Sequence, residues 1–150
     1  MYKTNYELTA QQLSALVEGI PYEVANLANA SALLWQEMPE INWVGFYKMT
    51  EGKLVLGSFQ GKPACIEIPV GRGVCGTAVA EDAVQLVYDV HQFPGDIACD
   101  CASNSEIVLR IHVNGEIWGV LDIDSPTVGR FTEDDRAGLE QVVRVLEAVL

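Results

Sequence analysis

Ser105-Glu106-Ile107-Val108-Leu109-Arg110-Ile111-His112-Val113-Asn114-Gly115-Glu116-Ile117-Trp118-Gly119-Val120-Leu121-Asp122-Ile123-Asp124-Ser125 is the stretch that decides the fold. Two apolar-rich runs flank Asn114-Gly115, a dipeptide suited to the positive φ angles of a tight hairpin turn. Along the first run Ile107, Leu109, Ile111 and Val113 alternate with Glu106, Val108, Arg110 and His112, so one strand face is greasy and the other mixed. Along the second, Ile117, Leu121 and Ile123 share a face, which leaves Trp118, Val120, Asp122 and Asp124 on the other. A two-residue turn would set Glu106 opposite Ile123 and mix the faces. A three-residue loop with Gly115 in the left-handed position pairs His112 with Glu116 and keeps the apolar faces aligned. The expected register therefore sets Glu106 directly across from Asp122, with Asp124 diagonal to it.

Three carboxylates on one face, with no lysine among them and one arginine at 110, repel one another and raise at least one pKa. Such a cluster either holds a cation or keeps a proton for acid catalysis. On an open sheet surface it would simply be solvated. Val108, Val120 and Trp118 on the same face argue for a pocket instead, lined by apolar and acidic groups and suited to a small ligand with a positive amine.

Outward from the hairpin, the remaining pattern completes an α+β layout. Leu8, Leu13, Leu16, Val17 and Ile20 fall at helical spacing, Pro21 breaks the run, and Val24, Leu27, Leu33 and Leu34 begin a second helix. Short β-rich runs over 41–49, 53–59 and 64–70, punctuated by Thr50-Glu51-Gly52 and Gly61-Lys62-Pro63, read as an antiparallel meander. A short helix is expected over about 74–81, then an irregular segment to about 105. Thr132 is a good N-cap for a last helix, with acids at 133, 134 and 135 complementing its dipole and an apolar stripe of Leu139, Val142, Val143, Leu146 and Val149. The expected architecture is helices from both ends of the chain on a largely antiparallel sheet, as one domain over 1–150.

The chain has 150 residues, 49% hydrophobic and 20% charged, which fits one ordinary globular domain. Its formal net charge of −12 repels phosphate backbones and anionic lipid, which argues against nucleic acid and acidic membranes as partners. The first residues lack the apolar core of a signal peptide, and no run is long enough to span a bilayer, so a cytoplasmic protein is expected. In a reducing compartment, Cys65, Cys75, Cys99 and Cys101 suggest redox or metal chemistry more than a structural disulfide framework. A zinc site of the usual kind is poorly supported: Cys99-x-Cys101 has no second pair, and only His91 and His112 are available. Gly71-x-Gly73-x-x-Gly76 matches the dinucleotide fingerprint in letters. The chain is too short and too antiparallel for that fold, so the glycines read as a tight turn that brings Cys75 near the pocket, and neither a cofactor nor a metal is expected.

Five segments occur together in order: Trp43-Val44-Gly45-Phe46-Tyr47, Gly71-Arg72-Gly73-Val74-Cys75-Gly76-Thr77-Ala78, Ile97-Ala98-Cys99-Asp100, Ser105-Glu106-Ile107-Val108 and Gly119-Val120-Leu121-Asp122-Ile123-Asp124-Ser125. With the spacing of Cys65, Cys75 and Cys99, this combination resembles the free methionine-(R)-sulfoxide reductase family, a single-domain GAF fold, over essentially the whole chain. The resemblance implies Cys99 as nucleophile, Cys65 as main resolving thiol and Cys75 as auxiliary thiol. It implies Trp43 and Tyr47 as the apolar wall for the substrate methyl group, and Glu106, Asp122 and Asp124 as the acidic cluster. It further implies free methionine sulfoxide as substrate, thioredoxin as reductant and a homodimer. Asp96 stands where the family usually has His, Arg110 where it usually has Pro, and Cys101 where a small residue is common. An added acid near Cys99 disfavours its thiolate, and Arg110 is expected to offset some of that charge. Two rivals stand beside it: a GAF sensor of the same fold that binds a small ligand without turnover, and a thiol-based peroxide sensor that uses the same sulfenic-acid step. A binding module needs no set of three cysteines, whereas a thiol reductase needs at least an attacking and a resolving one.

Overall fold

The computed structural model describes residues 3–95 and 103–150. Two N-terminal helices, α1 (Tyr6–Val17) and α2 (Glu23–Glu37), precede a meander of β1 (Trp43–Thr50), β2 (Lys53–Gly61) and β3 (Glu67–Pro69). A short helix α3 (Gly73–Glu81) and an edge strand β4 (Gln85–Val87) lead to the long hairpin β5 (Ser105–Val113) and β6 (Glu116–Ser125), and α4 (Glu133–Glu147) closes the order. The strands form one sheet in the order β3-β2-β1-β6-β5-β4, with antiparallel pairs throughout. Strand β4 falls in a segment expected to be irregular; three residues are too few to establish an alternation, so its pairing with β5 was not legible. Among the described residues, no helix is long and apolar enough to cross a membrane.

Each face of the sheet carries its own core. Val44, Phe46, Ile107, Leu109, Ile111, Leu121 and Ile123 pack with Leu13, Leu27, Leu34, Leu139 and Leu146 from α1, α2 and α4. The other face presents Trp43, Tyr47, Leu54, Val108 and Val120 to Val74, Cys75 and Ala78 of α3. Both faces of β1, β5 and β6 are therefore covered, the second of them also carrying the acids of β5 and β6. At the start of α4 the expected cap is present as a full capping box, in which the Thr132 side chain accepts from the Asp135 backbone and Asp135 accepts from the Thr132 N–H.

The hairpin corrects the expected register. Asn114 (φ 54°) and Gly115 (φ 79°) form a two-residue turn with Val113 paired to Glu116. Such a turn alone would mix the faces, but the ladder slips by one residue on β6, so that Ile111 pairs with Gly119 while His112 pairs with Ile117. Trp118 is the extra residue. Beyond it the apolar faces align, and Glu106 lies opposite Asp124, with Asp122 opposite Val108. Two compensating irregularities thus give the right faces through a pairing two residues away from the expected one. The bulge also turns Trp118 over to the helix side of the sheet, where Lys48 lies over its ring at 5.5 Å. It is not part of the acidic face.

Candidate functional site

The register lays the site out in rows across the sheet. One row runs Gly61, Trp43, Asp124, Glu106 and Val87; the next runs Phe59, Gly45, Asp122, Val108 and Gln85; a third runs Leu56, Tyr47, Val120 and Arg110. Residues directly opposite on neighbouring strands point the same way, so the acids of β5 and β6 share a face with the aromatic residues of β1. Helix α3 covers this face. The glycines before it set its approach: Gly71 and Gly73 take positive φ, and a Cβ on Gly76 would lie 2.4 Å from the Pro69 carbonyl oxygen. Helix and strand meet closely there, and Cys75 is carried to the acids as the sequence suggested.

The Cys75 Sγ and one carboxylate oxygen each from Glu106 and Asp122 lie within 4.8 Å of one another. Asp122 is 5% exposed and Cys75 4%, while Glu106 is half-buried. Burial, reinforced by Asp122 and Asp124, pushes the Glu106 carboxyl well above the usual carboxylate range. Burial also raises Asp122, while the neighbouring Glu106, Cys75 and Asp124 groups work in the opposite direction. The Cys75 thiol is pushed far up, first by burial and then by the Asp122 and Glu106 charges. Burial thus pushes both Glu106 and Asp122 toward their protonated forms, and Cys75 stays a thiol.

Aromatic rings wall the other side. Trp43 stacks on Tyr47 at 5.9 Å and on Phe59 at 5.2 Å between ring centroids. Gly45 makes room for this: a Cβ there would lie 2.3 Å from the Phe59 Cβ and 2.8 Å from the Trp43 ring. The polar tips of the wall hold the segment that follows β2. Trp43 Nε1–H donates to the Lys62 carbonyl at 3.0 Å, and the Tyr47 hydroxyl donates to the Cys65 carbonyl at 3.1 Å. Burial first, then Asp122, pushes the Tyr47 hydroxyl upward, so it remains a donor. Cys65, anchored there, is disulfide-bonded, whereas Cys75 is a free thiol.

The structure therefore gathers Trp43, Tyr47, Cys75, Glu106, Asp122 and Asp124 on one face, with Cys65 tied to its edge. Cys99, Cys101 and Asp96 lie outside the described residues. Phe59 was missed, because a slip between Gly45 and Tyr47 in the β1–β2 ladder puts it on the same face as Leu54 and Leu56 although its number has the other parity. The charge that Arg110 was expected to offset, that of Asp96, lies outside the described residues; Arg110 itself turns to Asp82. Its guanidinium bonds the Asp82 backbone oxygen and, at 3.1 Å, the Asp82 carboxylate, which His112 Nε2 also meets at 2.9 Å. That trio anchors the C-terminal end of α3, where Asp82 takes a left-handed φ of 47°.

The fold and this face define the class: the GAF domain family matches residues 12–150, and the chain belongs to it. The free methionine-R-sulfoxide reductase of Escherichia coli is 58% identical over 140 residues, 93% of this chain and 85% of that protein. The structure of fRMsr of Staphylococcus aureus in its reduced form superimposes with a TM-score of 0.97 at 50% identity, covering 100% of this chain and 98% of that one. The same enzyme in complex with its substrate gives a TM-score of 0.94 at 50% identity, covering 99% and 97%. Within the GAF class, the chain is a member of the free methionine-R-sulfoxide reductase family.

Proposed function

We propose that this chain reduces free L-methionine (R)-sulfoxide to methionine by cysteine chemistry, with Cys99 as nucleophile. The Cys99 thiolate attacks the substrate sulfur, forming a transient S–S bond as the sulfoxide oxygen is protonated; that hydroxyl then passes from the substrate sulfur to the Cys99 sulfur as the S–S bond breaks, so methionine leaves and Cys99 holds a sulfenic acid. Cys65 condenses with that sulfenic acid, releasing water and forming a Cys65–Cys99 disulfide. An external dithiol, thioredoxin, takes up the oxidation and restores both thiols. No dedicated cofactor is required.

The observation that carries this reading is the cluster of buried Cys75 and Asp122 with half-buried Glu106, on the face that carries the Trp43 and Tyr47 wall. Glu106 is assigned as the proton donor, since burial beside two other carboxylates keeps it protonated. Asp122 and Asp124 take the substrate ammonium, which a methionine inside a peptide lacks, and Trp43 and Tyr47, with Phe59 behind them, receive the methyl group. That Cys65 is disulfide-bonded while Cys75 is a buried free thiol supports Cys65 as the resolving residue and Cys75 as auxiliary. A thiol held protonated beside carboxylates is a poor nucleophile, which favours Cys99 for the attack.

Residues 1–150 act in this reading as one unit, as a homodimer in the reducing cytoplasm, with neither nucleic acid nor membrane as partner. The test follows NADPH oxidation with thioredoxin, thioredoxin reductase and either free methionine sulfoxide or peroxide. Turnover with the R epimer of the free amino acid is expected. Turnover with peroxide alone would make the chain a peroxide-sensing thiol protein, and ligand binding without turnover would make it a sensor module.

A further inference from the structure

We propose that the reduced pocket binds one zinc-class divalent cation through Cys75, Glu106 and Asp122, sharing Asp122 with the place assigned above to the substrate amine. The three ligands come from α3, β5 and β6, and their donor atoms already lie within 4.8 Å of one another. Around a tetrahedral zinc with bonds of about 2.0–2.3 Å, neighbouring donors sit about 3.5 Å apart, so small side-chain rotations close the set. The second observation is Asp122 itself. It is 5% exposed, and its Oδ1 is buried without a hydrogen-bond partner. An unmet carboxylate oxygen in a dry pocket is costly, and a cation is its natural complement. Arg110, the cation on this face of β5, is turned to Asp82 instead.

The donor set selects the metal. One sulfur and two carboxylate oxygens suit zinc, cobalt or cadmium, and leave a position open for water. Magnesium and calcium need six or more oxygens, which this aromatic-walled pocket does not supply. The ion would take Asp122 from the substrate amine and Glu106 from the sulfoxide oxygen, so zinc should act as a reversible competitor of methionine sulfoxide. The metal site is independent of the reaction, although the competition rests on the reading above.

The probe is Zn²⁺ alone, titrated into fully reduced protein against a chromophoric chelator, with Co²⁺ as spectroscopic substitute. One equivalent should bind, and the cobalt form should show a thiolate-to-metal charge-transfer band. Loss of an inner ligand should cost at least what loss of an outer-sphere partner does, so Cys75→Ser and Asp122→Asn should each weaken binding by about 10²-fold. Cys65→Ser should leave affinity within a few-fold. Zinc retained by Cys75→Ser but lost in Cys65→Ser would overturn the proposal, as would Mg²⁺ or Ca²⁺ competing as well as Zn²⁺. Should the substitutions unfold the protein, the wild-type cobalt complex still decides: absence of the thiolate band refutes the site. Turnover of methionine sulfoxide in zinc-free buffer tests the enzymatic reading separately. Full turnover without zinc binding sinks only the metal site, and zinc binding without turnover sinks only the reductase reading.

Discussion

Glu106→Gln should make the protein slower and, above acid pH, more stable. In the folded state burial and the neighbouring Asp122 and Asp124 hold the Glu106 carboxyl well above its ordinary range; unfolded, the same carboxyl ionises near its ordinary value of 4.5. Between those two values the native state binds the extra proton. Stability therefore falls as pH rises through this window, with a slope of up to about 1.4 kcal/mol per pH unit for one proton. Below it both states are protonated, and the effect of Gln is a constant set by packing. The carboxamide cannot ionise, so the difference in unfolding free energy, variant minus wild type, should be flat at acid pH and grow toward neutrality. Urea unfolding of the reduced proteins from pH 4 to pH 8 measures it. Kinetically, loss of a general acid should lower kcat by about 10²-fold and remove the limb of the pH–rate profile that falls as pH rises. Parallel stability curves would show that Glu106 titrates normally. An unchanged kcat with Asp122→Asn or Asp124→Asn removing the limb would move the donor to β6.

Three further outcomes follow from the same geometry. Cys99→Ser should abolish turnover even with excess dithiothreitol, whereas Cys65→Ser should complete one stoichiometric turnover and lose thioredoxin-dependent cycling; rapid-quench assays of methionine formed per protein separate them. Gly45→Ala places a Cβ 2.3 Å from that of Phe59, so it should displace the aromatic wall, raise KM for methionine sulfoxide and cost about 1–3 kcal/mol in urea unfolding. Gly115→Val forces a β-branched residue to a φ of 79° and should cost about 1 kcal/mol or more by the same measurement, with kcat unchanged.

Most of the elements were determined by the sequence alone, because their causes are local. The 3.6-residue stripe of α4 with its Thr132 cap, the break after α1, which falls at Glu18 and Gly19 (φ 70°) ahead of the expected Pro21, and the period-two alternation of β5 and β6 each act over a few neighbouring residues. Alternation was also enough to put Glu106, Asp122 and Asp124 on one face. What it could not set was the pairing between strands. Registers shifted by two residues leave the faces unchanged, so the choice between Asp122 and Asp124 opposite Glu106 fell to a bulge at Trp118. The same kind of slip brought Phe59 to the site and sent Trp118 to the far side of the sheet. Arg110 was drawn to Asp82, 28 positions away in the chain but adjacent in space, because the nearest carboxylate in space need not be near in sequence. Tertiary packing likewise decided the proton on Glu106, since a raised carboxyl pKa needs the water removed by α3 and the aromatic wall as well as the neighbouring charges.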